Sequence, residues 1–248
     1  MNGLNKCKKN ALVTGCTHGI GKAAAKALAS CGWDVFICGS NPYDNTGPLM
    51  EKEIPNIYYR LANVADENAV QLLMNEIYEK YERLDLAFNN AGIGCTLRLP
   101  HMADFVDFEN VVRTNLIGTA ICMKYEIELM LMQSVSGVII NNASISALKA
   151  NTGADASYAA SKAGIIALTR EAAVVNEYRD KILFYTLVPG YIETRMTATN
   201  DKELWKEKLP SGRPGKPQDA ADIVLRISEN PVFISGQMFF VDGGDFLL

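Results

Sequence analysis

Short apolar runs alternate along the chain with longer segments in which apolar residues recur every three or four positions. Runs of this length fit buried strands, and the periodic segments fit helices with one apolar face. Strands are predicted at residues 10–15, 34–38, 57–61, 84–88, 138–142, 182–188 and 237–241. Because strands and helices alternate over the whole chain, the pattern favours an α/β fold with a parallel sheet covered on both faces. The sequence contains no repeat or interdomain linker, so we expect a single domain over residues 1–248.

Helices are predicted at residues 22–30, 67–81, 105–134 and from 157 onward. The 105–134 segment contains no proline and a single glycine, which predicts one uninterrupted helix. Residues 41–56 carry three prolines, so the connection there is expected to be a short helix or a loop.

Composition narrows the class of protein. With 248 residues, 48% of them hydrophobic, the chain can bury a sizeable core. The net charge of −4 and the absence of a long Lys/Arg block argue against nucleic acid or an anionic membrane as a partner. No apolar run approaches the roughly 18 residues of a membrane span, and the N-terminal run is too short for a signal peptide. We therefore expect a soluble protein.

The cysteines and histidines give no sign of a metal site. The six cysteines are scattered without ligand spacing, which is typical of reduced thiols in a cytoplasmic protein. Cys31 and Cys38 are expected to be small core residues. His18 and His101 are far apart in the sequence, so a metallohydrolase is not favoured.

A glycine-rich turn follows the first predicted strand. Gly15, Gly19 and Gly21 form the pattern T-G-x-x-x-G-x-G and lead into an alanine-rich helix. Such glycines let the backbone approach a pyrophosphate, whose charge then meets the N–H groups of the helix start. The alternative is a tight turn without a ligand, since a lone glycine motif is a weak signal.

The end of the second predicted strand bears on coenzyme choice. In dinucleotide folds this end meets the adenosine ribose, and an acidic residue there binds the free 2′-hydroxyl of NAD. Here Gly39 is followed by Ser40 and Asn41, and the next carboxylate is Asp44. A hydroxyl, an amide and the nearby imidazole of His18 can accommodate a 2′-phosphate, so NADP(H) is favoured and NAD(H) remains the alternative.

Tyr158 and Lys162 are the strongest candidates for chemistry. Residues four apart on a helix share one face, so the phenol and the ammonium are expected to point the same way. A phenol titrates near ~10 in water, and a nearby cation favours its ionised form. Taken alone, this spacing is so common that an ordinary half-buried aromatic beside a solvated surface charge is the favoured interpretation.

In combination, these motifs resemble the short-chain dehydrogenase/reductase family, and most of all its 3-oxoacyl-(acyl-carrier-protein) reductases. The matching segments, in the family's order, are Thr14–Gly21, Asn89–Gly92, Asn115, Ser144, Tyr158–Lys162, Pro189–Gly190 with Thr194, and Gly236–Gly244. The resemblance implies a Rossmann-type, doubly wound, seven-stranded parallel sheet. It also implies NAD(P)(H)-dependent hydride transfer between nicotinamide and a carbonyl or secondary alcohol.

The resemblance assigns four catalytic residues. Tyr158 would exchange a proton with the carbonyl oxygen. Lys162 would hold the nicotinamide ribose and, together with the positive charge of the oxidised ring, lower the pKa of the phenol. Ser144 would donate a hydrogen bond to the reacting oxygen, and Asn115 would hold a water that links Lys162 to solvent. Ser144 lies fourteen residues before Tyr158, where the family more often has thirteen, so Ser146 is kept as an alternative.

The same resemblance assigns the coenzyme contacts. The expected cofactor-binding residues, besides Tyr158 and Lys162, are Gly15, Thr17, His18, Gly19, Ile20, Gly21, Ser40, Asn41, Asn63, Val64, Asn90, Ala91, Gly92, Pro189, Gly190, Ile192 and Thr194. Among them, Asn63 and Val64 would line the adenine, whereas Ile192 and Thr194 would face the nicotinamide carboxamide.

The resemblance identifies the substrate and the protein partners less specifically than it identifies the coenzyme. A 3-oxoacyl thioester on acyl carrier protein is favoured, although only Arg170, Arg179 and Lys181 suggest a basic docking patch for that acidic partner. Sugar, polyol and hydroxysteroid dehydrogenases share every motif above and remain alternatives. A dinucleotide-binding regulator without turnover would predict damage at Tyr158, Lys162 or Ser144, and all three are intact.

The last expectations concern the loops around the substrate and the assembly of subunits. Residues 191–209 are expected to form a lid over the substrate, with further pocket residues from 93–99 and 148–154. The resemblance also implies a homodimer or homotetramer packed through the 105–134 helix and the helix that carries Tyr158.

Overall fold

The seven predicted strands form one parallel sheet. The computed structural model describes residues 8–94, 100–150, 155–198, 202–231 and 235–247. The strands are β1 (Asn10–Thr14), β2 (Asp34–Gly39), β3 (Ile57–Leu61), β4 (Leu86–Asn89), β5 (Gly137–Asn142), β6 (Ile182–Pro189) and β7 (Gln237–Val241). Their order in the sheet is β3-β2-β1-β4-β5-β6-β7, and every pairing is parallel. The predicted fold class is therefore confirmed.

Eight helices connect the strands within the described residues. They are α1 (Gly19–Ser30), α2 (Thr46–Glu53), α3 (Glu67–Tyr81), α4 (Phe105–Val112), α5 (Gly118–Met132), α6 (Ala156–Ala173), α7 (Lys202–Lys208) and α8 (Pro217–Glu229). The proline-containing connection is the short α2, as predicted, and α3 has the predicted bounds.

Helices cover both faces of the sheet because successive strand residues point to opposite sides. In β1, Val13 packs in a core cluster with Leu28 of α1 and Val224 of α8. Its neighbour Leu12 packs in a second cluster with Met74 of α3. Each face thus has its own apolar core, and the strands are buried on both sides.

The strand order reverses between β1 and β4. From β1 the chain steps to β2 and β3 on one side, and from β4 to β5, β6 and β7 on the other. In such sheets the crevice for a ligand lies outside the carboxyl ends of the strands at this reversal. Loops that follow β1 and β4 therefore meet at one site.

Several predicted bounds differ from the structure, and two of these differences have identifiable reasons. Strand β4 begins at Leu86 because the backbone of Leu84 pairs with a side chain instead: Gln133 accepts from its N–H at 2.7 Å and donates to its carbonyl at 3.0 Å. The long helix is divided, since residues Arg113–Ile117 form a π-helical turn between α4 and α5.

The described cysteines are free thiols. Cys38 is buried as expected, but Cys31 is exposed at the C-terminal cap of α1, so its assignment to the core was wrong. Cys7 and Cys95 lie outside the described residues. No described helix combines the length and the hydropathy needed to cross a bilayer.

Candidate active site

A cavity of about 620 Å³ opens at the carboxyl ends of β1, β2, β4, β5 and β6. All the predicted site residues line it except Gly21 and Asn115. Five lining residues had no assignment from sequence: Cys38, Ala62, Thr114, Asn142 and Ala143. Asn142 and Ala143 directly precede Ser144 at the end of β5, a position from which they could have been predicted, whereas Thr114 lies within the π-helical turn Arg113–Ile117, which the sequence pattern did not predict.

The glycine turn after β1 presents a helix N-terminus to this cavity. Gly15 has a φ of +62°, and a Cβ there would lie 2.6 Å from the Cα of Ala91, so only glycine fits. His18, the N-cap of α1, makes no capping bond, and the first turn holds no acidic residue. By contrast, Asp66 caps α3. The uncapped N–H groups and the helix dipole suit a phosphate group.

Asn90 joins three strand ends behind the turn. Its amide donates to the carbonyls of Thr14 and Gly15 at 3.1 and 2.9 Å, and its carbonyl accepts from Asn142 at 2.9 Å. A Cβ on Gly21 would lie 2.4 Å from the amide nitrogen of Asn90. Gly21 is therefore needed to make room for Asn90, and it is not part of the cavity wall.

Lys162 projects from α6 into the inner part of the cavity. Its ammonium donates to the carbonyl of Asn142 at 2.6 Å, and the residue is only 3% exposed. Burial lowers the pKa of Lys162 to about 8. The ammonium lies 5.7 Å from the centre of the Tyr158 ring, so the two side chains share one face of the helix as predicted.

Tyr158 remains a protonated phenol at neutral pH. Burial raises the pKa of Tyr158, and a hydrogen bond with Ser144 only partly offsets that rise. The expectation that Lys162 and the positive charge of the oxidised nicotinamide ring together lower this pKa concerns the enzyme with bound nucleotide, and it stays a prediction.

Ser144 is the serine that faces Tyr158. It lines the cavity and accepts a hydrogen bond from the backbone N–H of Ser146 at 3.2 Å, whereas Ser146 is not among the described lining residues.

Asn115 lies at the centre of the π-helical turn and is fully buried. Its side chain accepts from the N–H of Ile93 at 2.8 Å and donates to the carbonyl of Ile93 at 3.0 Å. It also donates to Ser161 at 3.1 Å. These bonds fix the loop after β4 against α6, beside Lys162.

A carboxylate that the sequence pattern did not place there, that of Asp44, lies just outside the ribose end of the cavity. Asp44 folds back so that its oxygen lies 3.4 Å from Nδ1 of His18, which is 3.0 Å from the hydroxyl of Thr17. Burial tends to raise the pKa of Asp44, but hydrogen bonds from Thr46 and Thr17 and the charge of His18 bring it below its usual value. Asp44 does not line the cavity, and no described lining residue is Asp or Glu.

The predicted basic docking residues lie away from this mouth. Lys181 directly precedes β6, whose eight residues end at Pro189 beside the cavity. At about 3.3 Å per residue, Lys181 is roughly 25 Å from the cavity end of the strand. Arg170 lies near the C-terminal end of α6, also remote from the helix start that carries Tyr158. Of the expected pocket loops, residues 95–99 and 151–154 lie outside the described residues, as do 199–201 of the lid.

A dinucleotide fold with a protonated phenol and a buried lysine at its reversal point defines an oxidoreductase that uses a pyridine nucleotide. A sequence model of the family described as short chain dehydrogenase matches residues 9–205. The 3-oxoacyl-[acyl-carrier-protein] reductase FabG of Aquifex aeolicus is 35% identical over 247 residues, covering 96% of this chain and 97% of that protein. The 3-oxoacyl-[acyl-carrier-protein] reductase of Synechocystis sp. is 35% identical over 239 residues, covering 94% and 95%.

A solved structure agrees with these relatives. "ElxO with NADP Bound" superposes with a TM-score of 0.88 at 30% identity, covering 97% of this chain and 100% of that one. The chain therefore belongs to the short-chain dehydrogenase family. It is an NAD(P)-dependent short-chain dehydrogenase/reductase, as the motifs predicted.

Proposed function

We propose that this enzyme reduces the 3-carbonyl of a 3-oxoacyl thioester with NADPH. The observation that carries the proposal is the joint placement of Ser144, Tyr158 and Lys162 around one cavity beside an uncapped helix N-terminus. The two relatives named above, which are 3-oxoacyl-[acyl-carrier-protein] reductases matched over nearly their full length, support the substrate class.

The chain's own residues perform the proton chemistry. When bound in this cavity, NADPH would supply the hydride to the carbonyl carbon. Ser144 donates a hydrogen bond to the carbonyl oxygen, and Tyr158 transfers its proton to that oxygen as negative charge develops there. The raised pKa of Tyr158 keeps this proton in place at neutral pH. Lys162 holds the nicotinamide ribose, and Asn115 positions a water that returns a proton from solvent.

Coenzyme preference depends on the ribose end of the cavity. NADP(H) is favoured because Thr17, His18, Ser40 and Asn41 offer donors there, and no described lining residue carries a carboxylate. The neighbour ElxO was solved with NADP bound, which supports the same choice. Among the other expected contacts, Gly15 and Ile20 stay assigned to the pyrophosphate, Asn63 and Val64 to the adenine, and Ile192 and Thr194 to the nicotinamide, whereas Gly21 does not line the cavity.

The remaining assignments extend the proposal. We expect one domain over the whole chain, a cytoplasmic location, acyl carrier protein as the substrate's carrier, and a homodimer or homotetramer. The exposed apolar side chains of Phe105 and Val106 on α4 support a subunit contact there, since they are 73% and 68% exposed.

Replacement of the phenol tests the mechanism. Tyr158→Phe should bind NADPH as wild type does but lose about 10²- to 10⁴-fold in kcat, because general acid catalysis is worth that much. The assay follows NADPH absorbance with acetoacetyl thioesters, a 3-ketosteroid and a ketose as substrates, and fluorescence titration gives the coenzyme Kd. Wild-type turnover by Tyr158→Phe would exclude the phenol as the acid, and turnover of only the steroid or the sugar would exclude the thioester assignment.

A further inference from the structure

Arg195 lies at the mouth of the cavity, on the short 3₁₀ turn Arg195–Thr197. It is the only arginine among the described residues that line the cavity. Its side chain is exposed and forms no hydrogen bond or ion pair with any described residue. By contrast, Arg60 pairs with Glu76 and Arg213 with Asp219. The guanidinium of Arg195 is therefore available to a ligand.

The turn that carries Arg195 is held firmly at several points. The hydroxyl of Thr197 donates to the carbonyl of Ile192 at 2.7 Å and accepts from the N–H of Thr194 at 2.9 Å. Just upstream, the ring of Tyr191 stacks on Trp205 with centroids 4.7 Å apart. A pre-ordered backbone reduces the entropy lost when the side chain binds a partner.

The same turn spans the mouth. A Cβ on Gly19, at the start of α1, would lie 3.1 Å from the side chain of Thr194. On the other side, a Cβ on Gly94 would lie 3.9 Å from the sulfur of Met196. Arg195 lies between Thr194 and Met196 in the sequence, lines the cavity and is exposed, so its guanidinium is within the region that a substrate arm would cross on leaving the cavity.

The charge around the cavity favours an anion at this point. Its basic lining residues are His18, Lys162 and Arg195, and no described lining residue is Asp or Glu. His18 lies at the ribose end and Lys162 at the inner end, which leaves Arg195 as the cation at the exit. The pyrophosphate of a dinucleotide already has the N-terminus of α1, so Arg195 is not needed to neutralise it.

We propose that Arg195 determines specificity by binding a phosphate group on the substrate's thioester arm, as in a 4′-phosphopantetheine thioester. Arginine suits this task because its planar fork binds phosphate through two hydrogen bonds. This inference depends on the proposed reductase function. It also explains how a chain with net charge −4, whose Arg170 and Lys181 lie away from the cavity, can recognise an anionic arm at the mouth itself.

A matched pair of substrates tests the proposal: acetoacetyl-4′-phosphopantetheine and acetoacetyl-pantetheine, which differ only in the phosphate. Arg195→Met should raise the KM for the phosphorylated thioester about 10-fold and leave kcat and the KM for the other thioester unchanged. Arg195→Lys should recover part of the loss, because the charge remains without the fork. The wild-type preference should also shrink as salt is raised, since the contact is exposed. Arg226→Met, which removes an exposed arginine of α8 outside the cavity, is the control.

The possible failures are distinguishable. Equal losses on both thioesters would mean that Arg195 only shapes the lid, and a changed Kd for NADPH alone would mean that it binds the coenzyme's phosphate. A loss confined to acetoacetyl-carrier protein would assign Arg195 to the carrier's protein surface. Each of these results overturns the inference while leaving the reductase function intact. If wild type turned over neither thioester but reduced another ketone, the proposed function would fail, and the inference with it.

Discussion

Two buried ionisable side chains lie on the same half of the molecule, and burial moves the pKa of both to about 8. Lys162, at the cavity, falls from a usual value of 10.5, and Glu126, on α5, rises from 4.5. Both shifts have desolvation as their main cause, and their opposite directions follow from the opposite charges of the ionised forms. At pH 7 the cavity therefore holds a cation, whereas the core holds a neutral carboxylic acid.

The surroundings of the two side chains explain why we assign a catalytic role to Lys162 and none to Glu126. Lys162 is held by the Asn142 carbonyl beside a cavity that a ligand can enter. Glu126 is 0% exposed, accepts one hydrogen bond from Asn89 at 2.9 Å, and has Cys122 as a close neighbour that is itself buried. The comparison teaches that a strongly shifted pKa indicates function only where the group also faces a place for a ligand.

The largest expected effect is a loss of activity on replacement of Lys162, which distinguishes it from Glu126. Lys162→Met should lower kcat/KM by about 10³-fold or more, because the cation that orients the ribose and the phenol is lost. The effect of the substitution on the free energy of unfolding should depend on pH. The folded pKa lies below the unfolded one, so wild-type stability relative to the variant rises with pH between 8 and 10.5 and is lowest below pH 8. Kinetics and urea unfolding at several pH values check both parts, and activity within 10-fold of wild type would contradict the assignment.

The next effect concerns stability alone. Because the folded pKa of Glu126 is raised, wild-type stability should fall as pH rises from 4.5 to 8. Glu126→Gln, which keeps the neutral shape, should raise the free energy of unfolding by roughly 2–4 kcal/mol at pH 8 and by almost nothing at pH 4.5. The exposed Glu128 offers the control variant Glu128→Gln. A Glu126→Gln enzyme that lost turnover at pH 7 would show that the core carboxyl serves catalysis after all.

The smallest effect concerns the ribose end, where a new charge is added rather than removed. Gly39→Asp should shift the NADP/NAD ratio of kcat/KM about 10-fold or more toward NAD, since a carboxylate repels a 2′-phosphate. A Cβ at this position would lie 2.9 Å from the Thr17 methyl group, so Gly39→Ala controls for crowding. An unchanged ratio in the Asp variant would mean that the 2′-hydroxyl binds elsewhere.

Local patterns were sufficient for most of the sheet and much of the cavity. Apolar runs marked the strands, and the motifs that follow them supplied Gly15, Asn90, Ser144 and Gly190, which line the cavity. Asp66, one residue before α3, caps that helix and agrees with its predicted start.

Features that depend on distant contacts could not be predicted. The Asn115 side chain bonds to Ile93, 22 residues earlier, within the π-helical turn. Asp44 meets His18 only after the chain folds back. Glu126 has the sequence character of a surface residue, and its burial depends on how α5 packs against the sheet. Such residues are set by tertiary packing, which periodicity does not encode.

The stacked pair Tyr191–Trp205 gives the lid an intrinsic optical reporter. The chain has two tryptophans, and the other, Trp33, is buried just before β2 with the Lys9 ammonium 5.0 Å from its ring. Since an indole's emission responds to its immediate neighbours, any displacement of residues 191–197 that breaks the stack should alter light from Trp205 while Trp33 stays constant. The fluorescence of Trp205 can thus show, in a stopped-flow instrument and without an attached dye, whether this segment moves when a ligand binds.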